Sequence, residues 1–100
     1  MSNDFTIDTN DDGQLAVVGE LTRKSIIGKQ QKVFADIVSQ DSQDIDLSKL
    51  NKVDTAGLAW LIALFEFAAQ KQIKINYSQP PLELVKLATL SRVNELLALN

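Results

Sequence analysis

Two short runs in this chain of 100 residues carry side chains whose types and spacing could do chemistry. The first, Asp8-Thr9-Asn10-Asp11-Asp12-Gly13, matches the D-x-N-x-D-G opening of a calcium-binding loop, and Leu15 falls at that loop's apolar eighth position. Such a loop closes with a bidentate carboxylate at its twelfth position, where Gly19 stands, with Glu20 one residue late. Its flanks also read as strands, so the expectation is an acidic hairpin turn and no metal site. The second run, Asp54-Thr55-Ala56-Gly57, precedes the most apolar stretch of the chain. Asp54 or Thr55 can accept hydrogen bonds from the orphan amides of a helix start, an acid there suits the helix dipole, and Gly57 permits close approach of another backbone. Capping accounts for all of this. A hydroxyl at a helix N-terminus is also where a phosphate group would be stabilised.

Other chemistries are excluded by what the chain lacks. It contains no cysteine and no histidine. There can be no disulfide, no thiolate nucleophile, no Ser-His-Asp triad, no ordinary zinc site and no group with an unperturbed pKa near 7. Asp46 and Asp54 could be imagined as a carboxylate pair, but strand-end and helix-cap roles suffice for them and no base converges on them. The four glycines are scattered at positions 13, 19, 28 and 57, so no phosphate-cradling loop is present. Catalysis and a bound cofactor are therefore not expected.

Ten Lys plus Arg against thirteen Asp plus Glu give a formal charge of −3. Nucleic acid is not the expected partner, because phosphate neutralisation needs a basic face. The basic cluster Arg23, Lys24, Lys29, Lys32 is flanked by Asp4, Asp8, Asp11, Asp12 and Glu20 before it and by Asp36, Asp41, Asp44 and Asp46 after it. Residues 1–5 show neither a basic nor an apolar signal region, so no secretory leader is expected. The apolar window Ala56 to Ala69 falls short of the ~20 residues that cross a bilayer, so no membrane span is expected either.

Elements to position these residues follow from periodicity. Phe5-Thr6-Ile7 and Leu15-Ala16-Val17-Val18 read as strands joined through Asp12-Gly13, a hairpin signal, and Gly19-Glu20-Leu21 ends the second. Ser25 is placed to cap a helix running to about Gln40, with Ile26, Ile27, Val33, Phe34, Ile37 and Val38 at helical spacing. Ile45 and Leu47 give a third strand, and Ser48 to Val53 reads as a connection. The helix after Thr55 ends near Lys71. Ile73, Ile75 and Tyr77 give a fourth strand, and Pro80-Pro81 opens a helix with Leu82, Val85 and Thr89 on one side. The apolar tail Val93 to Leu99 suits a short helix or an edge strand.

This order predicts a single α/β domain over residues 1–100. Its sheet has four to five mainly parallel strands with an antiparallel first pair, packed with three to four helices. At 100° per residue the helix after Thr55 carries two apolar stripes. One is Leu58, Ile62, Phe65 and Ala69 with Leu61 and Ala68 beside it; the other is Trp60, Leu64 and Phe67 with Ala63 nearby. A sheet hides one such stripe, and a neighbouring helix or a partner must cover the other. Trp60 is the expected interface anchor.

The stretch Ile45-Asp46-Leu47-Ser48, followed by Val53-Asp54-Thr55-Ala56-Gly57-Leu58, resembles the signature of STAS domains, and Gly19-Glu20-Leu21 is similar to a recurring element of that family. The likeness extends over roughly Leu15 to Ser91. It implies a layered STAS fold. Within the family the chain is most similar to small stand-alone members. That resemblance implies a non-catalytic cytoplasmic subunit, peripheral on the inner face of the inner membrane of Gram-negative bacteria. It would bind the ATPase of an ABC complex which, with its permease, moves phospholipids between the two membranes and maintains outer-membrane lipid asymmetry. Thr55, Ala56, Gly57, Ala59 and Trp60 would form the docking surface. The other branch implied is an anti-sigma-factor antagonist, whose partner kinase would phosphorylate Thr55. In that branch Asp-Ser-Ser-Gly is usual, and Thr55-Ala56 replaces the pair here.

Overall fold

A computed structural model describes residues 5–9, 14–26, 42–94 and 96–97. Its elements in chain order are β1 (Phe5–Thr9), β2 (Leu15–Leu21), α1 (Arg23–Ile26), β3 (Ser42–Asp46), β4 (Leu50–Val53), α2 (Thr55–Gln70), β5 (Lys74–Ser78) and α3 (Leu82–Leu90). The result is a mixed α/β sheet of five strands. β1 pairs antiparallel with β2, from Phe5 opposite Gly19 to Thr9 opposite Leu15, as the hairpin signal requires. β2 pairs in parallel with β3 and, further along, with β4; β3 pairs in parallel with β5. Residues 10–13 and 27–41 lie outside the described residues. The tip of the hairpin and the length of the helix expected to reach Gln40 fall within them.

Ser48 to Val53 is not a plain connection, because its last four residues form β4. Leu50 and Val53 are buried while Asn51 and Lys52 between them are exposed. That spacing lacks the two-residue alternation that marks a strand in a sequence. What makes a strand of it is the break before it. The buried Asp46 accepts a hydrogen bond from the Ser48 amide at 2.8 Å, and Leu50 N–H donates to the Leu47 carbonyl at 3.1 Å. This Asx-type turn stops β3 and restarts the chain along the same neighbour, β2. The register slips between Gly19 and Glu20, which face Leu50 and Lys52 and leave Asn51 as the extra residue. Gly19 accommodates the slip at φ 109°, a conformation a residue with a Cβ rarely adopts.

The helix at Ser25 also begins earlier than expected. Thr22 occupies the cap position, and Ser25, in the first turn, accepts from the Thr22 amide at 2.9 Å while its hydroxyl donates to the Thr22 carbonyl. Ser25 thus acts as the return half of a capping box. In α3 the core-facing residues are Leu84 and Ala88, whereas Leu82 and Thr89 are exposed and Val85 is half-buried. After α3 the chain turns, and Leu97, whose amide donates to the Val93 carbonyl, is buried in the core.

α2 buries Gly57, Leu58, Trp60, Leu61, Leu64 and Ala68. The centre of this surface lies between the two stripes that periodicity separates, so the helix has one broad buried face. Ile62 and Phe65 on one flank, and Ala63 and Phe67 on the other, are half-buried. Trp60 is 7 % exposed and meets Phe5 edge-on at 5.2 Å between ring centroids. The expected anchor is therefore part of the core. Tyr77, on β5, donates its hydroxyl to the Leu61 carbonyl at 2.6 Å, and burial pushes its phenol above the ordinary value, so it stays neutral. Trp60→Ala should lower the stability of the isolated chain by about 3–5 kcal/mol in urea unfolding. An interface-only tryptophan would leave that stability unchanged.

Candidate docking site at the start of helix α2

Asp54 holds the start of α2. Its backbone is extended, and its Oδ1 accepts from the Gly57 amide at 2.9 Å, satisfying one orphan donor of the helix. Its Oδ2 accepts from the Arg23 amide at 3.1 Å, the first residue of α1. One carboxylate therefore caps two helices. Burial raises the cost of ionising Asp54, but the amides of Arg23, Gly57 and Ala56 and its own amide outweigh it, and the carboxyl lies below the ordinary 3.8.

Gly57 is fixed by space. A Cβ built on it would overlap the Leu21 carbonyl oxygen and lie 2.9 Å from Val53 Cγ2. The same carbonyl accepts from the Asp54 amide at 3.4 Å. The end of β2 thus presses against the first turn of α2, and only hydrogen fits between them. From below, Glu83 of α3 accepts from the Val53 amide at 3.2 Å and ties α3 to the end of β4.

On this platform Thr55 and Ala59 are exposed and Ala56 is half-buried. Gly57 and Trp60, expected to contact a partner, are buried and instead position the surface. The outward side of α2 continues through half-buried Ile62 to exposed Glu66. Before Ile62 this side carries side chains no larger than threonine, so another backbone can approach closely.

Beside the platform lies a groove of about 360 Å³ lined by Glu20, Thr22, Arg23, Lys24, Lys52 and Asp54. It sits at the carboxyl ends of the parallel neighbours β2 and β4, where open α/β sheets commonly place ligand sites. Sequence reasoning singled out Arg23 and Lys24 as part of a basic run but missed Lys52, because its segment lacks a strand pattern. The neighbourhood of Glu20 and Lys52 is a register fact that no local signal carries.

The broken third line of the sheet, the antiparallel first pair and the capped helix after the break define a STAS fold. The family model described as "Mlab, STAS domain" matches residues 5–98, and the chain belongs to that family, as a STAS domain closely related to MlaB. No curated protein matches the chain. Among the described residues no helix is long and apolar enough to cross a membrane.

Two outcomes test this geometry. Gly57→Ala gains about 1 kcal/mol of helix propensity, yet must push α2 off the Leu21 carbonyl, an overpacking cost of about 1–3 kcal/mol. Overpacking outweighs propensity, and the variant should melt lower than the wild type. Asp54→Ala should cost about 0.5–2 kcal/mol at neutral pH. Because the folded carboxyl titrates below its unfolded value, this contribution is complete above about pH 4 and is lost as pH falls through the folded pKa. Urea midpoints of wild type and variant should therefore converge in acid.

Proposed function

We propose that this STAS domain is a non-catalytic docking subunit for the cytoplasmic ATPase of an inner-membrane ABC complex, one that moves phospholipids between the two membranes. In this reading the chain is held at the inner face of the inner membrane through its partner and supports the assembly and activity of the ATPase. Thr55, Ala56 and Ala59 form the contact, with Gly57 and Trp60 fixing the helix beneath them. The observation that supports it most is the exposed, small-residue first turn of α2, held rigidly from below by Asp54 and Gly57. The family description, which carries the word Mlab, supports the choice of partner.

A second reading keeps the same surface for an anti-sigma-factor kinase that phosphorylates Thr55. Its support is the exposure of the Thr55 hydroxyl at a helix start. A phosphate there adds about two negative charges beside Asp54 and would oppose docking.

Co-purification with the ATPase subunit separates the outcomes. Thr55→Arg places a long cation in the small-residue contact and should abolish both capture and the stimulation of ATP hydrolysis, while the melting temperature stays near that of the wild type. Undiminished capture would sink the docking surface. Intact mass after incubation with ATP and cell extract should be unchanged; a stoichiometric gain of one phosphate at Thr55 would favour the kinase reading instead.

A further inference from the structure

The groove beside Thr55 carries charge that the fold does not use. Arg23 and Lys24 on α1 and Lys52 on β4 are exposed, and among the described residues none of their side chains forms an ion pair. Two carboxylates share the lining. Asp54 is already committed, with one oxygen on the Gly57 amide and the other on the Arg23 amide. Glu20 is the register neighbour of Lys52 and at most offsets that one cation. The lining thus carries three cations against two carboxylates, one net positive charge, in a chain whose formal charge is −3. A concave site whose lining is net positive focuses its field on an anionic group that enters.

We infer that the groove receives an acidic segment of the docked partner, whose Asp or Glu side chains enter between Arg23 and Lys24 on one element and Lys52 on the other. The groove is concave and small, which admits side chains and excludes the flat face of a bilayer. Its cations come from two separate elements along an open cleft, an arrangement that suits carboxylates spaced along a peptide. Its edge is Asp54, the residue before Thr55, so a partner seated on the first turn of α2 passes directly over it. The identity of that partner rests on the docking reading above; the charge preference of the groove does not.

The test is a titration of the ¹⁵N-labelled full chain with a capped hexaglutamate peptide, with hexalysine and inorganic phosphate as controls. Hexaglutamate should give saturable amide shifts at Thr22, Arg23, Lys24 and Lys52. These should vanish in the variant Arg23→Gln/Lys24→Gln/Lys52→Gln, whose other resonances keep their wild-type positions. Shifts spread over Lys71, Lys74 and Lys86, or phosphate saturating the same amides at equal or lower concentration, would overturn the inference.

A second arm measures ATPase binding at low and high salt. The triple variant should bind about tenfold more weakly at low salt and lose most of the salt dependence. If the ATPase binds and the triple variant matches the wild type, the groove inference fails while docking stands. If no ATPase binds but hexaglutamate still maps to the groove, the docking reading fails and the groove preference stands.

Discussion

The two hydrogen bonds of the Asp54 carboxylate hold together the part of the molecule that reaches solvent with something to offer. One oxygen closes the first turn of α2 on Gly57, and the other reaches a residue 31 positions away, at the start of α1. Two helix ends, each with positive dipole character, are drawn onto a single negative charge. The Asp54 amide in turn donates to the Leu21 carbonyl, the atom that forbids a side chain at Gly57. The end of β2 and the starts of α1 and α2 therefore meet within one residue's reach. Thr55, exposed, lies between Asp54 and Gly57, the two residues of α2's start that the junction uses.

The junction depends on a break elsewhere in the sheet. Asp46, buried at the end of β3, turns the chain through Ser48 so that β4 resumes beside β2. The slip at Gly19 lets the resumed strand lie in register with Glu20 and Leu21. Without that displacement Lys52 would not face Glu20, and the groove would lose one wall. The polar residues of the signature thus do structural work first: Asp46 redirects a strand and Asp54 anchors two helices. Thr55 and the groove cations remain exposed at the surface.

Much of this is legible in the residues taken in order. The Asp-Gly hairpin, the alternation of Ile73, Ile75 and Tyr77, the helix after Asp54 and its cap are local events, decided within a few residues. β4 escapes because Leu50-Asn51-Lys52-Val53 has no period of its own; it is a strand only because β2 offers it an edge. The place of Trp60 is illegible for a related reason. Helical periodicity gives the angle between two apolar stripes but not which angle faces the sheet, and the observed face lies between them, taking in Leu58 and Trp60 together.

The sequence by itself determined that cysteine and histidine chemistry is absent, that a cap stands at Asp54 or Thr55, and that a hydroxyl lies at the head of α2. These follow from residue types and from hydrogen bonds spanning three or four positions. Tertiary structure alone decided that Asp54 also binds Arg23, that Gly57 lies against a carbonyl from β2, that Trp60 belongs to the core, and that Lys52 joins Arg23 and Lys24 around one groove. Each of these is a contact between residues far apart in the chain. Its existence depends on how the strands are ordered and slipped, a quantity that no local pattern encodes.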